Sequence, residues 1–193
     1  MKAFLLSFAL LTIARCSPLA NDQLLICKFF ENVQSIQDKL WEEKFHNFKT
    51  VLEETISAMK PYPEYSETMT NLQDYLERGV AVTDSSSLQK KIEYLQGCSS
   101  LYPNPAIDFT SDKGRRIYKP FQDYELKMMA AYVPFQSKIV SAIEEVKLKV
   151  SPETKSDKPD LFTLIDHYPT KSGEQTEAIG FSILALRDQH QCA

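Results

Sequence analysis

Between Phe121 and Val150 the apolar and aromatic positions recur with a regularity that leaves little choice of secondary structure. Phe121, Tyr124, Met128, Tyr132, Phe135, Ile139, Ile143, Val146 and Val150 are separated by steps of three or four, an eleven-residue period. The positions between them are largely Gln, Asp, Glu, Lys and Ser. Only a helix gathers residues so spaced onto one side, so the stretch predicts a long amphipathic helix with one buried face. About 3.67 residues per turn stays close to a straight helix and does not demand a left-handed supercoil. Pro120 is expected to open this helix, at a position where its missing N–H does no harm. Pro134 is expected to bend it, because it removes the bond to the Ala130 carbonyl.

The rest of the chain is punctuated around other helices. From Asn21 to Lys60 there is neither Pro nor Gly, and Asn21 or Asp22 can cap the start of a long first helix. Its apolar stripe runs Ile26, Phe29, Val33, Ile36, Leu40, then resumes as Trp41, Phe45, Phe48, Leu52, Ile56, Met59. The jump between Leu40 and Trp41 turns the stripe by about 100°. Either the helix breaks there or it buries a wide face against two partners. Shorter helices are expected around Met69–Leu76, Leu88–Leu95 and Leu161–Tyr168, with Pro61, Gly79 and Gly97 as stops. Residues 99–119 look irregular, and Ser111 to Gly114 reads as a surface loop. Ser151 to Pro159 reads as an exposed polar linker. The segment Ala178 to Leu186 fits a strand or a helix, and with no strand partner elsewhere the helix is preferred. The fold class is therefore all-α, a single-domain bundle of about five to seven helices.

Residues 1–16 have the layout of a secretory signal peptide: Lys2, an apolar run from Ala3 to Leu11, then small residues near Ala14 to Ser17. The run is shorter than the roughly 20 residues that span a bilayer. Cleavage after Cys16 places Ala14 and Cys16 at the small-residue positions, and cleavage after Ala14 uses Thr12 and Ala14. Residues 17–193 would then form the single domain, about the size at which one core suffices without a disulfide scaffold. A formal net charge of −4 disfavours a nucleic-acid or anionic-membrane partner. The chain is expected to be secreted and extracellular, without a membrane span.

An oxidising compartment makes disulfides the expected state of Cys27, Cys98 and Cys192. A Cys27–Cys98 bridge would close a loop of about seventy residues, worth about 4 kcal/mol on the chain-entropy scale. Joining Cys98 or Cys27 to Cys192 would instead pin the tail. Cys16 and Cys192 could pair if both survive processing.

Motifs for chemistry are sparse. His46, His167 and His190 are scattered, with His190 and Cys192 only a pair in a polar tail, so no metal site is expected. Five glycines in the whole chain leave little material for a phosphate loop. The segment Gly180-Phe181-Ser182 lacks the second glycine of a nucleophile elbow. Acidic pairs such as Glu42-Glu43 and Glu144-Glu145 read as solvated helix faces. No catalytic role and no cofactor are expected. Arg115-Arg116, placed in a loop, is a candidate processing site, to be weighed against a plain basic surface loop.

The remaining signal is a surplus of rings and thioethers on the helical faces. Phe45, Phe48, Tyr124, Met128, Tyr132 and Phe135 are candidates to line an apolar pocket between the first helix and the 121–150 helix. Two functions fit a secreted helical binding protein. One is a carrier of a hydrophobic small molecule. The other is a factor docking a helical surface on an extracellular protein.

Overall fold

The computed structural model describes residues 18–83, 85–97, 107–168 and 174–192. Within them the chain is all α, with seven α-helices and no strand. The helices are α1 (Pro18–Met59), α2 (Ser66–Arg78), α3 (Leu88–Gly97), α4 (Asp112–Lys149), α5 (Pro152–Asp157), α6 (Pro159–His167) and α7 (Glu174–Ala185).

Two long antiparallel helices form the frame. α1 has 42 residues and is about 63 Å long. Its direction relative to α4 follows from three cross-links: Asp22 meets Ser151, Asn47 meets Lys127 and Glu64 meets Lys113. The stripe jump at Leu40–Trp41 does not break α1. Both residues are buried, and the jump is where the helix passes from one apolar cluster to another. The first cluster joins Ile26, Phe30, Val33 and Leu40 to Phe135, Ile139, Ile143 and Val146 of α4, Leu161 and Ile165 of α6, and Ile183 of α7. The second joins Phe45, Phe48, Leu52 and Met59 to Leu72 and Tyr75 of α2, Tyr94 of α3 and Ile117 of α4. Each long helix therefore serves both clusters, while α2 and α3 cover the second and α6 and α7 the first.

Three expectations are corrected. The α4 helix begins at Asp112, eight residues before Pro120, because Ser111 caps it by accepting from the Gly114 N–H at 3.0 Å. Residues 111–119 are thus cap and helix, and Arg115 and Arg116 lie on a helical turn instead of a loop. The Ser151–Pro159 stretch contains α5, with Ser151 as its cap and Thr154 buried. Asp22 does not cap α1, which starts at Pro18. Its carboxylate instead accepts from the Ser151 N–H (3.1 Å), the Ser151 hydroxyl (2.5 Å) and the Thr154 hydroxyl (2.8 Å). The Ser151 hydroxyl is the largest influence holding Asp22 below its ordinary carboxylate pKa, against the effect of burial.

The tail is fixed as well. Cys192 is disulfide-bonded to Cys27 across 165 residues of sequence. Gln23 Nε2 donates to the His190 carbonyl, and Arg187 Nε donates to the Cys192 carbonyl at 2.7 Å. His190, expected in a polar tail, is instead buried and stacks on Phe30 with ring centroids 5.8 Å apart. Cys98 and Cys16 fall outside the described residues.

Candidate functional site: a ring-lined cleft at the waist

On one flank of the α1–α4 pair, α3 covers the second cluster and α7 covers the first. Between the end of α3 and the start of α7 lies an open cleft of about 510 Å³. Trp41, Lys44 and Phe48 of α1 form one wall, and Tyr124, Met128, Met129 and Tyr132 of α4 form the other. Leu95 and Gln96 of α3 close one end, and Glu125 stands at the rim. The α1 residues at 41, 44 and 48 share a face by the i, i+3, i+7 rule, as do 124, 128 and 132 on α4 by steps of four. Phe48 and Tyr124 meet edge to face, ring centroids 6.0 Å apart.

Four of the six predicted pocket residues, Phe48, Tyr124, Met128 and Tyr132, come together here. The other two do not. Phe45 is 1% exposed and belongs to the second cluster, where it meets Tyr94 edge to face. Phe135 is buried in the first cluster and borders the opposite flank. The residues that sequence reasoning missed are Trp41, Lys44 and Glu177. Trp41 was legible as the position where the α1 stripe shifts; Glu177 gave no signal, because it reaches the site from a helix 133 residues after Lys44.

Lys44 and Glu177 make the only ion pair bordering the cleft among the described residues. The Lys44 ammonium lies 3.0 and 2.8 Å from the two Glu177 carboxylate oxygens, and both side chains are largely buried. The same ammonium stands 4.2 Å from the Trp41 ring centroid and 5.0 Å from that of Tyr132. The Tyr132 hydroxyl also donates to Glu177. Behind this pair, on the α1–α7 seam, the Gln37 side chain is fully buried and packs directly on Gly180, where a Cβ would lie 2.0 Å from Gln37 Nε2. Trp41 Nε1 and the Gln37 amide have no hydrogen-bond partner among the described residues. Tyr168 is also fully buried, and burial, followed by the Glu177 charge, pushes its hydroxyl pKa far above the ordinary tyrosine value.

The opposite flank has a second groove of about 740 Å³, but its lining is different. Ser35, Lys39 and Glu43 face Ala130, Pro134, Ser137, Lys138 and Ser141 across it. Ile36, Leu40 and Phe135 give this groove apolar wall as well, but charged and small polar side chains interrupt it along its length. The ring-lined cleft is the more uniformly apolar of the two.

Among the described residues, no group of three His, Cys, Asp or Glu could hold a metal ion, and no helix is long and apolar enough to cross a membrane. Arg115 pairs with Asp112 within the first turn of α4. No family model, curated protein or solved structure matches the chain, so the site must be read from its own residues.

Proposed function

We propose that this chain is a secreted, non-catalytic binding protein that carries an apolar small molecule in the waist cleft. The observation that carries this reading is the cleft's lining, four rings and two thioethers facing a space of about 510 Å³. That volume falls in the range of small-molecule sites, whose walls are mostly apolar with a few fixed polar groups. The Lys44–Glu177 pair supplies such polar groups at the wall. The signal-peptide layout and the Cys27–Cys192 bridge support the secreted assignment, since disulfides persist in oxidising compartments.

Trp41 is the only tryptophan in the chain and stands in the cleft wall. A bound ligand should therefore change its emission directly. Native mass spectrometry of protein purified from its source should show a mass above that of the bare chain, and extracting the ligand should change Trp41 fluorescence. A bare mass, with no response of Trp41 to any apolar probe, would sink the carrier reading.

A second reading rests on the adjoining surface of α4, which shares Met129 with the cleft. Leu126, Met129 and Val133 of α4 are 65%, 67% and 68% exposed and follow one another at i, i+3, i+7. Such a stripe suits docking to an extracellular protein.

A further inference from the structure

We infer that the cleft's ligand is an organic cation with an apolar body, an amine or quaternary ammonium, and not a carboxylate such as a fatty acid. This rests on the carrier reading above and assigns the chemistry of the head group. Three observations lead to it.

The first is the inventory of positive charge. Lys44 is the one cation among the described lining residues, and its charge is already met by both Glu177 oxygens and by two ring faces. An arriving carboxylate would find no unmatched positive charge and would meet Glu177 behind Lys44. Like charges brought together in a partly desolvated site oppose binding.

The second is the unmatched negative charge. Glu125 stands exposed at the rim, accepts the Tyr118 hydroxyl at 3.2 Å, and takes part in no ion pair among the described residues. A ligand ammonium lodged by its apolar tail between Phe48 and Met128 could reach this carboxylate without losing its water entirely.

The third is what the chain does with its own lysine. The Lys44 ammonium rests between the faces of Trp41 and Tyr132 against a carboxylate, which is the arrangement by which aromatic sites recognise ammonium ligands. Tyr124 and Phe48, toward the α3 end of the cleft, extend the same electron-rich lining next to Glu125.

The test uses three probes with one tail and different heads: octylammonium, octanol and octanoate, each titrated into the full-length protein with Trp41 emission as the readout. Octylammonium should bind about tenfold more tightly than octanol, and octanoate more weakly than either. In Glu125→Gln, an exposed change that leaves the core untouched, octanol should bind as before while octylammonium falls to its level. Octanoate binding as tightly as octylammonium would overturn the cation assignment and leave the carrier reading standing. So would octanol binding unaccompanied by any ammonium preference. An ammonium preference that survives Glu125→Gln would overturn the role of Glu125 and leave head-group recognition to the rings. Silence from all three probes would overturn both.

Discussion

At the scale of single residues, the tail histidine shows how position changes a side chain's chemistry. His190 Nδ1 is 3.1 Å from the Lys158 ammonium, and its Nε2 lies 3.5 Å from Asp160 Oδ2. With an ammonium donor on Nδ1, the ring is neutral and carries its proton on Nε2. Burial, then the Lys158 charge, lowers its pKa from the ordinary 6.5, and Asp160 only partly offsets them. A folded pKa below the unfolded one means that the unfolded chain binds more protons between the two values. This stability is complete above 6.5 and is lost as pH falls from there through the folded pKa. Asp22 acts in a separate window, below its ordinary 3.8. Urea midpoints at pH 7.5 and 5.5 should fall on acidification in the wild type, and His190→Gln should flatten that fall. Equal pH slopes in the two proteins would remove His190 from the account. None of this could be read in the sequence, because burial of residue 190 depends on Phe30, Gln23 and Cys27, all far away along the chain. The Lys44–Glu177 pair was hidden for the same reason. Phe48, Tyr124, Met128 and Tyr132 were legible because helical spacing alone puts them on inward faces.

At the scale of elements, periodicity located α1 and α4 and misjudged one end. Pro120 looked like the first residue of its helix, yet it is a buried interior residue of α4. The signal for the true start was Ser111 as a cap, masked by Gly114 three residues later, which marks a loop as readily as a close approach. Gly114 is there for space, not for an unusual backbone angle. A Cβ at this position would lie 1.8 Å from the Asp108 carbonyl oxygen. That oxygen accepts from the Ser111 N–H (3.2 Å) and hydroxyl (2.8 Å), so the turn and the cap are one unit. Gly114→Ala should therefore push the turn away, break the cap and cost about 1 to 2 kcal/mol. It should also fray the turn carrying Arg115-Arg116, where a protease needs extended chain. In limited trypsin digestion followed by mass spectrometry, the wild type should resist cutting after Arg116 and Gly114→Ala should be nicked there early. Equal cutting rates would show that the cap does not protect the site.

At the scale of the whole molecule, the two long helices tie together two apolar clusters that differ in what else holds them. The second cluster is closed by α2 and α3, which follow α1 within a few tens of residues. The first depends on α6, α7 and the tail, returned from the far end of the chain and joined to α1 by Cys27–Cys192. Cysteine spacing left that pairing open, because three cysteines allow any two to join and only the path of α7 along α1 decides. The contacts 44–177, 41–181 and 27–192 run antiparallel and bring the tail to the first turns of α1. A closed loop of this length restricts the unfolded chain by about 5 kcal/mol on the chain-entropy scale, and measured bridges commonly deliver less. Replacing both cysteines by Ala should thus cost about 3 kcal/mol. The loss should not be even. Hydrogen exchange should quicken in residues 159–167 and 174–185, while residues 66–78 and 88–97 keep their protection, since nothing in the second cluster touches the bridge. Global unfolding should still be a single transition, because α1 and α4 cannot melt in one cluster without exposing the other. Equal loss of protection in both regions would mean that the waist is no boundary. A cleft at that boundary would then owe its opening to something other than the gap between α3 and α7.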